Sequence, residues 1–202
     1  MKELLWASFG IVYAALLWLL AHAVASRRSL LLGGIPLAAF ALIIIVSARM
    51  GSIAATPGIA LATVTCLGSI ICATVDHRTG YIFDALTITS ALIAVVLALS
   101  SGTFIPSVFA AVGAGAAFAT LRLLTRGRGI GLGDLKLAMV VGLGYGPLGT
   151  AIALGSAFVL GGCYGVALLV SGRARPGDHI RFGPFIAGGS IIALFVDGMV
   201  SV

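Results

Sequence analysis

Long runs of apolar residues, separated by short polar breaks, make up almost the whole chain. Uncharged runs cover residues 4–26, 29–48 and 50–75. Each is long enough for the roughly 20 residues that a helix needs to cross a bilayer. Two further runs, 85–121 and 137–172, are about twice that length. The pattern predicts membrane-spanning helices along the chain.

Both long runs contain turn-forming residues near their middle. Ser101-Gly102 and Pro106 interrupt the first, and Gly144-Tyr145-Gly146-Pro147 interrupts the second. Because glycine and proline punctuate helices, each long run is interpreted as a hairpin of two helices. A last apolar run covers 184–202. The count is then about eight transmembrane helices.

The composition agrees with an all-α, polytopic integral membrane protein. Of the 202 residues, 60% are hydrophobic and 9% are charged, and the mean hydropathy is +1.20. Globular chains carry roughly 25% charged residues, so this chain cannot cover its surface with polar groups, and lipid must cover it. We predict two N-terminal transmembrane helices in 1–50 and a core of about six in 51–202.

The basic residues fall on one side of the predicted topology. The net charge is +6, but the basic side chains lie in short breaks instead of on one stripe, which argues against nucleic-acid binding. With eight spans, only Lys2 and Arg49 fall on one side. The positive-inside rule makes the other side cytoplasmic and places both termini outside. The cytoplasmic side would receive Arg27, Arg28, Arg78, Arg122, Arg126, Arg128, Lys136, Arg173, Arg175 and Arg181.

The three cysteines lie inside apolar runs. Cys66, Cys72 and Cys163 show no Cys/His spacing, so neither a disulfide framework nor a metal site is predicted. Free cysteines behave as small apolar residues, and we expect all three to pack between helices. No cofactor is predicted.

Ionisable residues at membrane depth are costly, which makes the few acidic residues functional candidates. Asp76 ends the third run and Asp134 begins the sixth predicted helix, so both should lie at the cytoplasmic edge. Two neighbouring carboxylates in a site of low dielectric constant cannot both ionise cheaply. The charged one would take a proton from water, and the protonated one would donate to a scissile carbonyl. Simpler interpretations are a helix N-cap for Asp134 and a solvated charge for Asp76.

The neighbouring polar residues and glycines have predicted roles as well. Gly131 and Gly133 would let a substrate strand or an opposing helix approach closely, and would let the loop adopt positive φ. Lys136 points to a different helix face from Asp134, toward either anionic lipid or a nearby carboxylate. Asp84 is predicted to cap the next helix. Gly183-Pro184 is predicted to shape the start of the last helix.

Three sequence blocks resemble the type IV prepilin peptidases, a family of GxGD intramembrane aspartyl proteases. Gly131-Leu132-Gly133-Asp134-Leu135-Lys136-Leu137 matches their GxGDxKL motif. Residues 76–87 resemble their other aspartate block, and residues 180–185 resemble their Pro-Phe-Gly-Pro-Phe block. Phe83 and Arg181 stand in place of the usual prolines. The blocks follow the order of the family.

The resemblance implies that Asp76 and Asp134 are catalytic, with Gly131, Gly133, Lys136, Gly183 and Pro184 binding substrate or supporting the motifs. It implies a prepilin or pseudopilin substrate in the bacterial inner membrane, whose basic leader is cleaved after its last residue, usually Gly. Larger members carry a cysteine-rich insert linked to N-methylation. Only residues 26–29 occupy that loop here, so the resemblance implies a short form without the methyltransferase part, similar to those serving Flp-type pili.

Three other classes share some of these features. Presenilin and signal peptide peptidase have GxGD, but their Pro-Ala-Leu motif is absent from this sequence. A small transporter would place its aspartates near the bilayer centre, whereas these charges are predicted at one edge. A non-catalytic membrane scaffold of a pilus or secretion assembly stays open, as does the oligomeric state.

Overall fold

The regular secondary structure of the described residues consists of α-helices joined by short connections. A computed structural model describes residues 57–79, 81–127, 129–173, 175 and 180–200, so the two helices predicted in 1–50 lie outside the described residues. The all-α class is confirmed for this part, while the count of eight helices stays a prediction. The helices are α1 (Pro57–Thr79), α2 (Asp84–Ser101), α3 (Phe104–Leu124), α4 (Leu132–Val170) and α5 (Gly183–Val200).

The first predicted hairpin break is confirmed. α2 ends at Ser101, and Gly102 adopts the left-handed conformation (φ 71°), which is the usual end of a helix. The N–H of Thr103 donates to the carbonyl of Ala98 over 3.0 Å. α3 then begins at Phe104, so two residues join the helices.

The second break lies inside α4, at Gly146. Its φ of 63° and ψ of −172° are not helical, and Pro147 follows. The first segment (132–145) packs Met139 against Gly115 of α3, where an added Cβ would lie 2.9 Å from the Met139 Cγ. The second segment (147–170) places Phe158 against Phe118, with ring centroids 5.6 Å apart. In a straight helix residues 139 and 158 would be about 28 Å apart. Instead they contact Gly115 and Phe118, which lie on neighbouring turns of α3. The chain therefore reverses at Gly146, as predicted.

α1 is the central helix of the described bundle. Between Leu61 and Asp76, all residues except Thr63 and Thr74 are buried. α1 packs against α2, α4 and α5. Its buried hydroxyls donate to carbonyls of the same helix, as Thr65 does to Leu61 over 2.8 Å. A helix that is apolar all round belongs in a core, and this one positions Asp76 near the axis of the bundle.

The outer helices expose apolar side chains. On α2, the stripe Ile88, Leu92, Val96 and Leu99 is more than half exposed, while Leu86 and Ala98 are buried. α2, α3 and α4 are long and apolar enough to cross a membrane, and Leu61–His77 and Gly183–Val196 are shorter apolar helices. An exposed apolar surface of this extent fits a lipid environment.

The cysteines divide between the core and the outer surface. Cys66 and Cys72 are buried in α1, as predicted, but Cys163 is exposed on the second segment of α4. The prediction for Cys163 was wrong because lipid tails are as apolar as a protein core, so hydropathy does not distinguish the two faces of such a helix.

Candidate active site

Asp76 is buried near the end of α1. Its exposed fraction is 7%, and the start of α5 covers it. A Cβ at Gly183 would lie 2.7 Å from the Asp76 Oδ2, so only a glycine leaves room for the carboxylate there. The N–H of Gly183 is directed at the same carboxylate. The simpler interpretation of Asp76 as a solvated charge is therefore wrong.

The Asp76 carboxylate is incompletely satisfied. Among the described residues, Oδ2 is buried and has no hydrogen-bond partner. A buried acceptor without a partner costs roughly 1–3 kcal/mol, so native proteins keep few of them, often with a catalytic role. Oδ2 is thus an available acceptor for a ligand proton.

Asp134 lies in the first turn of α4, three residues after the N-cap Gly131. The N–H of Gly131 donates to the Asp134 Oδ2 over 3.1 Å, so Asp134 is not the N-cap itself. Its side chain is half-buried. At this position the N-terminal end of the helix dipole favours a negative charge.

Gly133 provides a close packing position next to Asp134. A Cβ at Gly133 would lie 2.8 Å from the Ile82 Cβ, so the element that approaches is the segment before α2. The predicted positive φ is wrong, because Gly131 has a φ of −73° and Gly133 lies within the helix. The glycines serve close packing and a hydrogen bond to Asp134.

The structure brings Asp76 and Asp134 together at one end of the bundle. They lie on different helices and are close enough to interact electrostatically. We call the end marked by Asp76, Asp134 and Gly183 the aspartate end. The sequence predicted this proximity from the position of each residue at the end of an apolar run.

Lys136 binds a carboxylate, which was one of its two predicted roles. Its Nζ lies 2.5 Å from the Asp84 Oδ1. The predicted N-cap role of Asp84 is wrong, since Phe83 is the N-cap and Asp84 is the first residue of α2. The Phe83 carbonyl accepts the N–H groups of Leu86 and Thr87, at 3.0 and 3.3 Å. The Asp84 side chain is therefore available to Lys136.

Arg181 makes a contact that the sequence did not predict. Its guanidinium donates to the backbone carbonyl of His77, and its positive charge acts on Asp76. The His77 carbonyl lies near the C-terminal end of α1, where helix carbonyls lack helical partners. The exposed His77 side chain agrees with its predicted solvated state. Arg181 thus joins the start of α5 to the end of α1.

An aromatic cluster holds the start of α5. The ring centroids of Phe158 and Phe182 are 5.0 Å apart, and those of Phe118 and Phe182 are 6.1 Å apart. A Cβ at Gly161 would lie 2.9 Å from the Phe182 ring. Pro184 occupies the first turn of α5, as predicted. The cluster places Gly183 over Asp76.

The Gly183→Ala variant is expected to lose activity while retaining the fold. The new methyl group would meet the end of a side chain, the Asp76 carboxylate, which can rotate away. Since a displacement of about 1 Å can cost roughly a hundredfold in rate, turnover should fall by about that factor. Gly188→Ala is the matched control on α5, because its Cβ would meet only the flexible Leu160 Cδ1 at 3.3 Å. Equal turnover in the two variants would contradict the assigned contact.

Comparisons with known proteins identify relatives of the chain. A sequence profile of the type IV leader peptidase family matches residues 63–166, just over half of the chain. Over 93 residues the chain is 38% identical to a prepilin leader peptidase/N-methyltransferase of Bacillus subtilis (strain 168), covering 44% of this chain and 37% of the relative. Over 139 residues it is 32% identical to a protein of the same name from Burkholderia pseudomallei (strain 1026b), covering 64% and 44%.

The chain thus spans less than half of the length of these curated relatives. No solved structure matches it. The family match contains both Asp76 and Asp134 but ends before Gly183.

Proposed function

Because the chain belongs to the type IV leader peptidase family, we propose that it removes the leader peptide of prepilins or pseudopilins, using Asp76 and Asp134. The observation that carries this proposal is a buried carboxylate that lies within electrostatic reach of a second carboxylate on another helix. Two acidic side chains near each other at the end of an apolar bundle are costly in free energy. Such a pair is therefore expected mainly where it has a chemical role.

The proposed reaction is a direct attack of water. One carboxylate accepts a proton from the water molecule while the water oxygen adds to the scissile carbonyl carbon. The other carboxyl group donates a proton to the carbonyl oxygen. The tetrahedral diol then collapses, the C–N bond breaks, and the leaving nitrogen takes a proton from the pair. The products are the leader with a new carboxylate and the pilin with a new amino group. The pair titrates as a unit.

The proposed substrate enters from the inner membrane of a bacterium. In this account the aspartate end faces the cytoplasm, with both chain termini outside, in line with the one-sided distribution of Lys and Arg in the sequence. The leader would lie in the cytoplasm and the hydrophobic helix of the pilin in lipid. The exposed apolar surface of α2 and α3 supports contact with lipid.

The test is leader removal by the purified protein. The protein in liposomes is mixed with a prepilin that has a basic leader ending in Gly, and the products are identified by mass spectrometry. We expect one cut after that Gly, at a rate that a chelator does not change. The mass of the mature pilin also reports methylation, and the resemblance to short family members implies an unmethylated N-terminus.

Other outcomes identify the competing classes. Binding of the prepilin without cleavage, across a panel of prepilins from Flp-type and other type IV systems, would indicate a scaffold. Ion flux through the liposomes without cleavage would indicate a transporter. Either result overturns the proposal.

A further inference from the structure

An ion pair connects two helix starts beside the aspartates. The Lys136 Nζ lies 2.5 Å from the Asp84 Oδ1, and the two side chains are 43% and 63% exposed. Lys136 belongs to α4 and Asp84 to α2. The contact is therefore between elements that are 52 residues apart in sequence.

The ion pair completes a short path from one aspartate to the other. The chain runs from Asp76 out of α1 to Asp84, at the first residue of α2. The ion pair crosses from Asp84 to Lys136, which is two residues from Asp134. The same segment before α2 places Ile82 against Gly133. The start of α2 thus contacts the first turn of α4 through the apolar side chain of Ile82 and the carboxylate of Asp84, in addition to the direct packing of α1 against α4.

Stability of the individual helices does not explain this lysine. Cations are favoured near the C-terminus of a helix, whereas Lys136 lies near the N-terminus of α4, where it gains nothing from the dipole. Exposed ion pairs contribute roughly 0–1 kcal/mol to stability. The ion pair can still fix the separation between the starts of α2 and α4. For that, one arrangement of the two helix starts needs only to be lower in free energy than slightly shifted arrangements.

We infer that the Asp84–Lys136 ion pair sets the distance between the Asp134 and Asp76 carboxylates. Both members are positioning residues, since neither is placed in contact with the reacting atoms. This inference rests on the proposed function for its effect on catalysis. When the pair is broken, the first turn of α4 shifts and the two carboxylates meet in the reactive geometry less often. Substrate binding elsewhere on the bundle is unchanged.

The kinetic test uses Asp84→Asn, Lys136→Gln and the exchanged double variant Asp84→Lys/Lys136→Asp. Each single variant should lower kcat about tenfold, within the range that small misplacements produce, and leave KM within about twofold. The exchanged pair should recover most of the lost kcat. Arg173→Gln is the matched control, because it removes an exposed positive charge at the C-terminal end of α4 without touching the pair. Its kcat should be that of the unmodified protein.

A distance measurement tests the inference without any turnover. Spin labels are placed at the exposed positions His77→Cys and Leu132→Cys, in a Cys163→Ser background that removes the exposed native thiol. Pulsed electron paramagnetic resonance should show one narrow distribution of the distance between the two labels. Asp84→Asn should broaden or shift this distribution, and the exchanged double variant should narrow it again.

Several results would overturn the inference. One is an unchanged distance distribution in Asp84→Asn and Lys136→Gln. Others are unchanged kcat in both single variants, or an exchanged pair no better than either of them. A raised KM with normal kcat would show that the two residues bind substrate instead. If the unmodified chain cleaves no prepilin, the proposed function fails, and the distance distributions still decide whether the ion pair positions the helix starts.

Discussion

Asp76→Asn and Asp134→Asn, each alone, should reduce leader removal to the limit of detection. Asparagine has nearly the shape of aspartate but can neither accept the proton of the attacking water nor supply one to the scissile carbonyl. General acid–base catalysis contributes about 10²–10⁴-fold, so we expect kcat/KM to fall by roughly a thousandfold in either variant. The double variant should be no slower than the single ones, because two groups that act as a unit are not additive.

The matched control is Asp197→Asn, at the far end of α5. Position 197 is about 21 Å along that helix from Gly183, at 1.5 Å per residue. This variant also removes one carboxylate from a helix of the same chain, but it should cleave at the normal rate. If either Asp76→Asn or Asp134→Asn processes prepilin as well as Asp197→Asn, that aspartate is not catalytic.

Gly189→Ala should produce the largest loss of stability among the glycine substitutions at helix contacts. A Cβ at Gly189 would lie 2.0 Å from the Ala153 carbonyl oxygen and 3.0 Å from the Ala157 nitrogen. Both are backbone atoms of α4, so no side-chain rotation relieves the clash, and α5 must move as a whole. Overpacking typically costs about 1–3 kcal/mol and occasionally more, and we expect the upper part of that range.

The measurement for Gly189→Ala is thermal unfolding of the purified protein in detergent, with the midpoint expected to fall by roughly 5–10 °C. Gly155→Ala is the control on α4, since no atom lies within 4 Å of its added Cβ. It should leave the midpoint unchanged or raise it slightly, because alanine is the better helix former. Equal midpoints in the two variants would contradict the close packing of α4 and α5.

The sequence contained most of the information about where the helices break. Gly102 and Gly146 interrupt runs too long for one crossing, and a positive φ at each is compatible with glycine. The position of Asp76 and Asp134 at the ends of such runs was also sufficient to predict that they lie at one end of the bundle. These features depend on local chemistry and on the length of a helix, both of which are visible in a single sequence.

Contacts between distant segments could not be predicted in the same way. The guanidinium of Arg181 reaches a carbonyl 104 residues away, and the only signal in the sequence was an arginine in place of a usual proline. Asp84 has the residue type of a helix cap but pairs with Lys136, because Phe83 already occupies the N-cap position. Cys163 could not be assigned to lipid or to the core, since both are apolar.

The pH dependence of kcat/KM for the unmodified chain tests most directly whether the two aspartates act as one pair. If they share a proton, only the singly protonated pair is active. At low pH both carboxyls are protonated and no base remains; at high pH both are charged and no acid remains. The account predicts a bell-shaped profile, with both flanks kept in His77→Gln because both flanks belong to the two aspartates. A profile that rises to a plateau and stays there at high pH would show that one ionised carboxylate is enough, and would contradict the account.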